Sequence, residues 1–194
     1  MKLETERLLL RPFRRTDAAE FAQLAGDWAV ASKTSDIPYP FSAVQALGWL
    51  KPVRGEARFA IERKGQLIGG AGFYRRPSGA AELGFWLGRH WWGQGYASEA
   101  TRAVVRHGFA NRRLPGFCSA HFVDNPASAR VLAKLGFEPT GRGHIASIAR
   151  GYDVEAVTYW LDRQRAMLAR PPIVTAETER NRWRAWLGLL GDTA

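Results

Sequence analysis

The sequence predicts an α+β fold, and three observations predict it. Residues 58–87 alternate short β-prone runs with tight turns, the pattern of an antiparallel meander. From residue 88 onward a glycine-rich loop and longer periodic stretches give helix, strand, helix, strand. The chain has 194 residues, 46% apolar and 24% charged, the balance of a globular protein of one domain with or without an appendage.

The elements follow in order. Arg7 to Phe13 reads as a first strand, with Pro12 marking an edge or an end. Asp17, three residues before Glu20, is a capping-box-like start for the helix AAEFAQLAG, which stops near Gly26. Ser42 and Gln45 repeat that signal for a short helix through Trp49. Arg58 to Arg63 and Leu67 to Tyr74 flank the turn Lys64-Gly65-Gln66 as a hairpin, and Pro77-Ser78-Gly79 turns the chain into a strand over Ala81 to Leu87. Residues 88–95 form the glycine-rich loop, 96–110 a helix and 117–123 a strand. Asn125-Pro126 breaks that strand before a helix from Ala127 to Leu135, which Gly136 closes. Glu155 to Leu161 is the last strand. The predicted boundary puts one domain at residues 1–163 and a linker plus amphipathic helix at 164–194. Pro171-Pro172 marks the linker, and Trp183, Trp186, Leu187 and Leu190 fall on one helical face. That face packs on its own domain or forms a homodimer.

Lys plus Arg number 28 against 18 Asp plus Glu, a net charge of +10 that is almost all arginine. Such a chain favours an anionic partner: nucleic acid, a membrane surface or a phosphorylated small molecule. The arginines are dispersed, and no zinc finger, RNA-recognition signature or basic helix is present, so nucleic acid is disfavoured. The single cysteine, Cys118, excludes an internal disulfide, and the four scattered histidines form no metal-ligand pattern. No apolar run approaches the roughly 18 residues of a membrane span, and the N-terminus is no signal peptide. The expectation is a cytoplasmic, metal-free protein that uses no membrane.

The informative segment is AELGFWLGRHWWGQGYASEA, residues 81–100. A strand feeds a loop with Gly88, Gly93 and Gly95, and the loop opens a helix. Glycine lets backbone amides approach a ligand, and the first turn of a helix carries free N–H groups and partial positive charge. With Arg89 in the loop and Arg102 in the second turn, this is a candidate phosphate cradle. A plain glycine-capped strand–helix connection accounts for the same residues. The chain has no P-loop, no complete dinucleotide fingerprint (Ser98 stands where the third glycine belongs) and no Gly-x-Ser-x-Gly elbow.

Four segments together resemble the GNAT N-acetyltransferase superfamily, in particular its RimJ/RimL-like branch of ribosomal-protein N-terminal acetyltransferases. They are ETERLLLRPFRRTDAAEF, AELGFWLGRHWWGQGYASEATRAVVRHGF, DNPASARVLAKLGFEPTG and EAVTYWL, spanning roughly residues 3–162. The resemblance implies a mixed, largely antiparallel splayed sheet flanked by helices, and acetyl-CoA as cosubstrate. It places the pantetheine arm in the splay, against the backbone near Trp86 and Leu87. It places the pyrophosphate on the loop at Trp92, Gly93, Gln94, Gly95, Tyr96 and Ala97, with Arg89 beside it. Asn125 matches the residue that hydrogen-bonds the pantetheine arm, and Arg130 and Lys134 are candidates for the terminal phosphate, although both suit a solvated helix face equally. Trp92 departs from the Gln or Arg that usually opens the pyrophosphate motif, a departure the RimJ/RimL-like branch tolerates.

The implied reaction moves acetyl to an amine by direct attack. The amine attacks only when neutral, so a base must take its proton, and the leaving thiolate gains from a nearby acid. Where many members carry a Tyr for that acid, this chain has Leu132; Ser128, in Asn-x-x-Ser, matches the RimJ/RimL-like alternative. Ser128 could instead cap its helix. Glu82 and Glu155 are the candidate bases, and each could equally be a surface or ion-paired carboxylate. The acceptor is a protein N-terminus or a small-molecule amine, with Trp28, Tyr39, Phe41, Trp49 and Trp91 as candidate lining. A CoA-binding protein without catalysis and a basic nucleic-acid-binding module are the competing readings.

Overall fold

The computed structural model describes residues 1–111 and 114–168. Its order is β1 (Leu3–Glu4), β2 (Leu9–Arg11), α1 (Ala18–Ala25), α2 (Trp28–Ala31), α3 (Ala43–Trp49), β3 (Glu56–Arg63), β4 (Gln66–Arg75), β5 (Ala81–Leu87), α4 (Tyr96–Asn111), β6 (Gly116–Phe122), α5 (Pro126–Lys134), β7 (Glu138–Ser147), β8 (Tyr152–Asp162) and α6 (Arg163–Leu168). The strands form one 8-stranded sheet in the order β1-β2-β3-β4-β5-β6-β8-β7. All neighbours are antiparallel except β5 and β6. The predicted α+β class, with its mixed sheet, is what the chain adopts.

The first strand is shorter than the expected run from Arg7 to Phe13. Pro12 ends it, and Arg11 turns inward, 4% exposed, to give Asp17 two hydrogen bonds of 2.8 and 2.9 Å. Asp17 therefore does not cap α1 with Glu20. Its carboxylate also accepts from the Arg14 amide, and Glu62 takes a third bond from Arg11. Burial pushes the Asp17 carboxyl up, but the bonds from Arg11 and Arg14 outweigh it and hold the group below the usual carboxylate range. The capping box of α3 forms as predicted: the Ser42 amide donates to Gln45, and the Gln45 amide donates to Ser42 Oγ.

The sheet divides two cores. Leu83 and Leu87 of β5 pack with Ala100, Val104, Val105 and Phe109 of α4 and with Leu132 of α5. Trp86 packs with Phe21, Ala22 and Ala25 of α1 on the other face. The period-2 alternation along β5 thus sends odd residues to α4 and even residues to α1–α3. Helix α4 lies close on the sheet because Gly108 leaves room: a Cβ there would sit 2.5 Å from the Phe117 ring.

Strand β7 is not foreseen by the sequence reading. It pairs with a β8 longer than the expected Glu155–Leu161 run, from Ser147↔Tyr152 to Glu138↔Trp160. Helix α6 occupies the start of the stretch expected as a linker, and Ala166 packs against the larger core. The predicted tail helix and its dimer contact lie outside the described residues.

Candidate active site

Strands β5 and β6 pair at only two registers, Ala81↔Phe117 and Glu82↔Cys118, and then diverge. The divergence opens a cleft of about 280 Å³ through the sheet, lined among others by Glu82, Trp86, His121 and Ser128.

The open edge of β5 can be read from its hydrogen bonds. Gly88 N donates to Ile68 O and Arg76 N to Ala80 O, so the even residues of β5 exchange bonds with β4. The odd residues then face β6. Three side chains confirm the alternation by bonding odd carbonyls: Cys118 Sγ with Ala81 O, Ser119 Oγ with Leu83 O, and Trp92 Nε1 with Leu87 O at 2.7 Å. The backbone of Trp86 is thus turned to β4. The free edge consists of both peptide groups of Phe85 and the N–H of Leu87.

That edge leads into the glycine-rich loop. Gly93 and Gly95 adopt φ of +74° and +81°, where other L-residues are strained. None of the amides of residues 93–98 donates to an acceptor among the described residues. Six consecutive free N–H groups at the start of a 16-residue helix form an anion cradle. Arg7, missed by the sequence reading, holds it. Its guanidinium bonds Gln94 O and Glu99 and lies 4.6 Å from the Tyr96 ring centroid. Burial pushes the Glu99 carboxyl up, and the Thr5 hydroxyl with Arg7 draws it back below its ordinary range. Arg89 is exposed beside the loop, and Arg130 and Lys134 are exposed on α5. Arg102 instead bonds Lys134 O, tying α4 to α5.

At the other edge, Asn125 caps α5: its Oδ1 accepts from the Ser128 amide at 3.2 Å. Ser128 is therefore not the cap. Asn125 Nδ2 donates to Ser128 Oγ at 3.0 Å, which leaves the serine's own proton free to donate elsewhere. Behind this pair runs a string that the sequence did not show. His121 Nδ1 lies 2.7 Å from Phe122 O, a group that only accepts, so Nδ1 carries the hydrogen. On the other side of the ring Nε2 shares a hydrogen bond with the Tyr159 hydroxyl, 3.1 Å away. Phe122 O also accepts from the Asn125 amide, so Tyr159 and His121 brace the turn that presents Ser128. Leu132 is fully buried in the core, away from any acid role.

The two glutamates part company. Glu82 lines the cleft and pairs with Arg76 at 3.1 Å, and Tyr74 is its directly paired neighbour on β4. Burial and the Glu82 carboxylate together push the Tyr74 hydroxyl above its usual range. Glu155 pairs with Arg142 at 2.8 Å on the outer hairpin and is not among the residues around the cleft. Of the aromatic candidates only Trp49 lines the cleft, while Trp28 and Tyr39 pack against each other at the surface. No helix among the described residues is long and apolar enough to cross a membrane, and they hold no cluster of three metal-ligating side chains.

A sheet split at one parallel pair, with an amide cradle at the end of the inner strand, defines the acyl-CoA-dependent N-acyltransferase class. Residues 7–138 match the family model described as the acetyltransferase (GNAT) domain, and the chain belongs to that family. It is 34% identical over 148 residues to the uncharacterized N-acetyltransferase YoaA of Bacillus subtilis, covering 72% of this chain and 84% of that one. It is 38% identical over 87 residues to the ribosomal-protein-serine acetyltransferase of Escherichia coli, covering 43% and 49%. Among solved structures, RimL, a ribosomal L7/L12 α-N-protein acetyltransferase in complex with coenzyme A, superposes with a TM-score of 0.73 at 20% identity, covering 84% of this chain and 98% of that one.

Proposed function

We propose that this protein is an acetyl-CoA-dependent N-acetyltransferase that moves acetyl to a primary amine, of a small molecule or a protein N-terminus, by direct attack within a ternary complex. One observation carries the reading: the free edge of β5 borders the cleft that holds Ser128 and Glu82, and a single turn at residues 88–92 carries the same strand into six unpaired amides. The residues fit the cosubstrate. Amides 93–98 suit a pyrophosphate, the peptide groups of Phe85 and Leu87 suit an amide-bearing arm, and Asn125 has polar atoms at the facing edge.

The chain's own groups divide the work. The Leu87 N–H, at the end of the open edge, is the donor for charge developing on the thioester oxygen. Ser128 Oγ gives its proton to the departing sulfur. Glu82, held by Arg76, takes the proton of the amine, directly or through water. Arg89, Arg130 and Lys134 supply positive charge around the cosubstrate's phosphates.

Calorimetric titration with acetyl-CoA, followed by thiol release over a panel of amines and peptides with mass spectrometry of the product, tests the reading. Binding with acetylated product is expected. Absence of binding overturns the cradle, and binding without thiol release on any acceptor leaves a CoA-binding protein without catalysis.

A further inference from the structure

Resting on the acetyl-transfer reading, we infer that the acceptor is a primary amine on a flat, apolar body, seated in a trough whose floor is Gly72 and Gly84. The trough follows from strand register. On the α1–α3 face of the sheet, directly paired residues form three rows across β3, β4 and β5. The first is Ala60, Gly70 and Trp86; the second is Arg58, Gly72 and Gly84; the third is Glu56, Tyr74 and Glu82. The outer rows carry rings and carboxylates, while the middle row has no side chain on two adjacent strands.

The two glycines are there for different reasons. A Cβ on Gly72 would sit 2.3 Å from Ala57 O, so close strand approach requires glycine. Gly84 has no such need. It is exposed, its φ is not left-handed, and a Cβ there meets nothing within 4 Å among the described residues. Glycine within a strand weakens the strand, so neither packing nor backbone geometry accounts for it. The space above it is what the glycine provides.

Position and chemistry define the occupant. From residue 82 to residue 86 is about 13 Å along the strand, and adjacent strands lie about 4.8 Å apart, so the trough fits one ring or a short chain. Trp86 walls one side and Tyr74 the other, with Trp49 and Phe13 also lining the cleft. The trough opens at the β5–β6 split, beside Glu82. An amine at that end has its proton acceptor next to it and its body between Trp86 and Tyr74. The two cations along the trough, Arg58 and Lys33, are already engaged. Arg58 bonds Glu56 and the carbonyls of Trp49 and Lys51, and Lys33 is bound to Asp124. Asp36 on the rim carries no ion pair among the described residues, and it favours arrival of the amine as a cation. A second cation on the acceptor would have Asp36, on the rim, as its partner, and putrescine tests whether that contact outweighs the apolar walls.

The test uses the full chain with 2-phenylethylamine, putrescine and two pentapeptides, one beginning with Phe and one with Ser, on wild type, Gly84→Ala and Gly84→Phe. Phenylethylamine, alone or together with the Phe peptide, is expected to exceed putrescine and the Ser peptide at least tenfold in kcat/KM. Gly84→Phe is expected to raise acceptor KM at least tenfold, with Gly84→Ala in between. The acetyl-CoA dissociation constant should stay within twofold, and Tm should stay at or above that of wild type. A preference for putrescine or for the Ser peptide overturns the inference. So does an acceptor KM in Gly84→Phe within twofold of wild type. If nothing is acetylated, titration of phenylethylamine into the CoA-bound protein decides the matter separately. Binding lost in Gly84→Phe upholds the trough while the transfer reading falls, and no binding to wild type overturns the trough.

Discussion

Replacing Tyr159 by Phe removes one hydroxyl and nothing else. In the structure that hydroxyl shares a hydrogen bond with His121 Nε2 at 3.1 Å, and His121 is 9% exposed. A largely buried polar group left without its partner costs about 1–3 kcal/mol. Here the loss falls on the ring that fixes the turn between β6 and α5, and so on the placement of Ser128. If about 1 kcal/mol of it is felt in the transition state, kcat falls roughly fivefold. Tyr159 touches neither the amide cradle nor the open edge of β5, so KM for acetyl-CoA should stay within twofold. Ser128→Ala alone should lower kcat by about 100-fold, the lower range for a positioned proton donor. In the double variant the brace has nothing left to place, so its loss should add little to that of Ser128→Ala. Thiol-release kinetics at saturating acceptor measures all four proteins. Losses that multiply in the double variant, or an unchanged kcat in Tyr159→Phe, refute the reasoning.

Further outcomes follow from the same geometry. Gly95→Val puts a branched residue at φ +81°, a strain of about 1–2 kcal/mol, and calorimetry should show acetyl-CoA binding at least tenfold weaker. Glu82→Gln should lower kcat/KM about 100-fold at neutral pH, with the deficit shrinking as the pH rises and the amine deprotonates unaided; an unaltered rate removes Glu82 as the base. Asp17→Asn breaks a buried pair and should cost about 3 kcal/mol in urea denaturation. The Asp17 and Glu99 carboxyls are held below their ordinary range, so their stabilisation is complete above about pH 5 and lost as pH falls through their lowered folded values. Tm against pH should therefore drop on the acid side, and less steeply in Asp17→Asn.

What the sequence disclosed was what neighbouring residues decide. The capping box of α3, the turns of the meander and the glycine loop before α4 depend on spacings of a few residues, and the structure has each of them. Strand β7 was illegible for a local reason. Glu138 to Ser147 holds a proline and two glycines and is largely exposed, so it shows neither alternation nor an apolar run; its pairing with β8 makes it a strand. The split between β5 and β6 was implied only by the family resemblance; no local pattern shows it, because the two strands are joined through α4 and part after two registers. The cleft residues show the same division. Asn125 and Ser128 share one motif and stand together, whereas Arg7 reaches Glu99 from 92 residues away and Tyr159 reaches His121 from 38. No spacing rule connects such pairs. Glu82 and Glu155 looked equivalent along the chain; the register of the sheet separates them.

The split sheet also has a mechanical side. Five strands on one flank and three on the other share their ladder hydrogen bonds only at the short β5–β6 pairing, so beyond it the halves are joined by the packing of the larger core and not by the sheet. A molecule that bonds the free edge of β5 and also the Asn125 turn acts as a strut across the seam. By mass action it stabilises the native state by about 2.7 kcal/mol when present at 100 times its dissociation constant. If the proposed cosubstrate occupies the opening, the ladder is interrupted where that molecule would insert, and resistance to unfolding would track its supply.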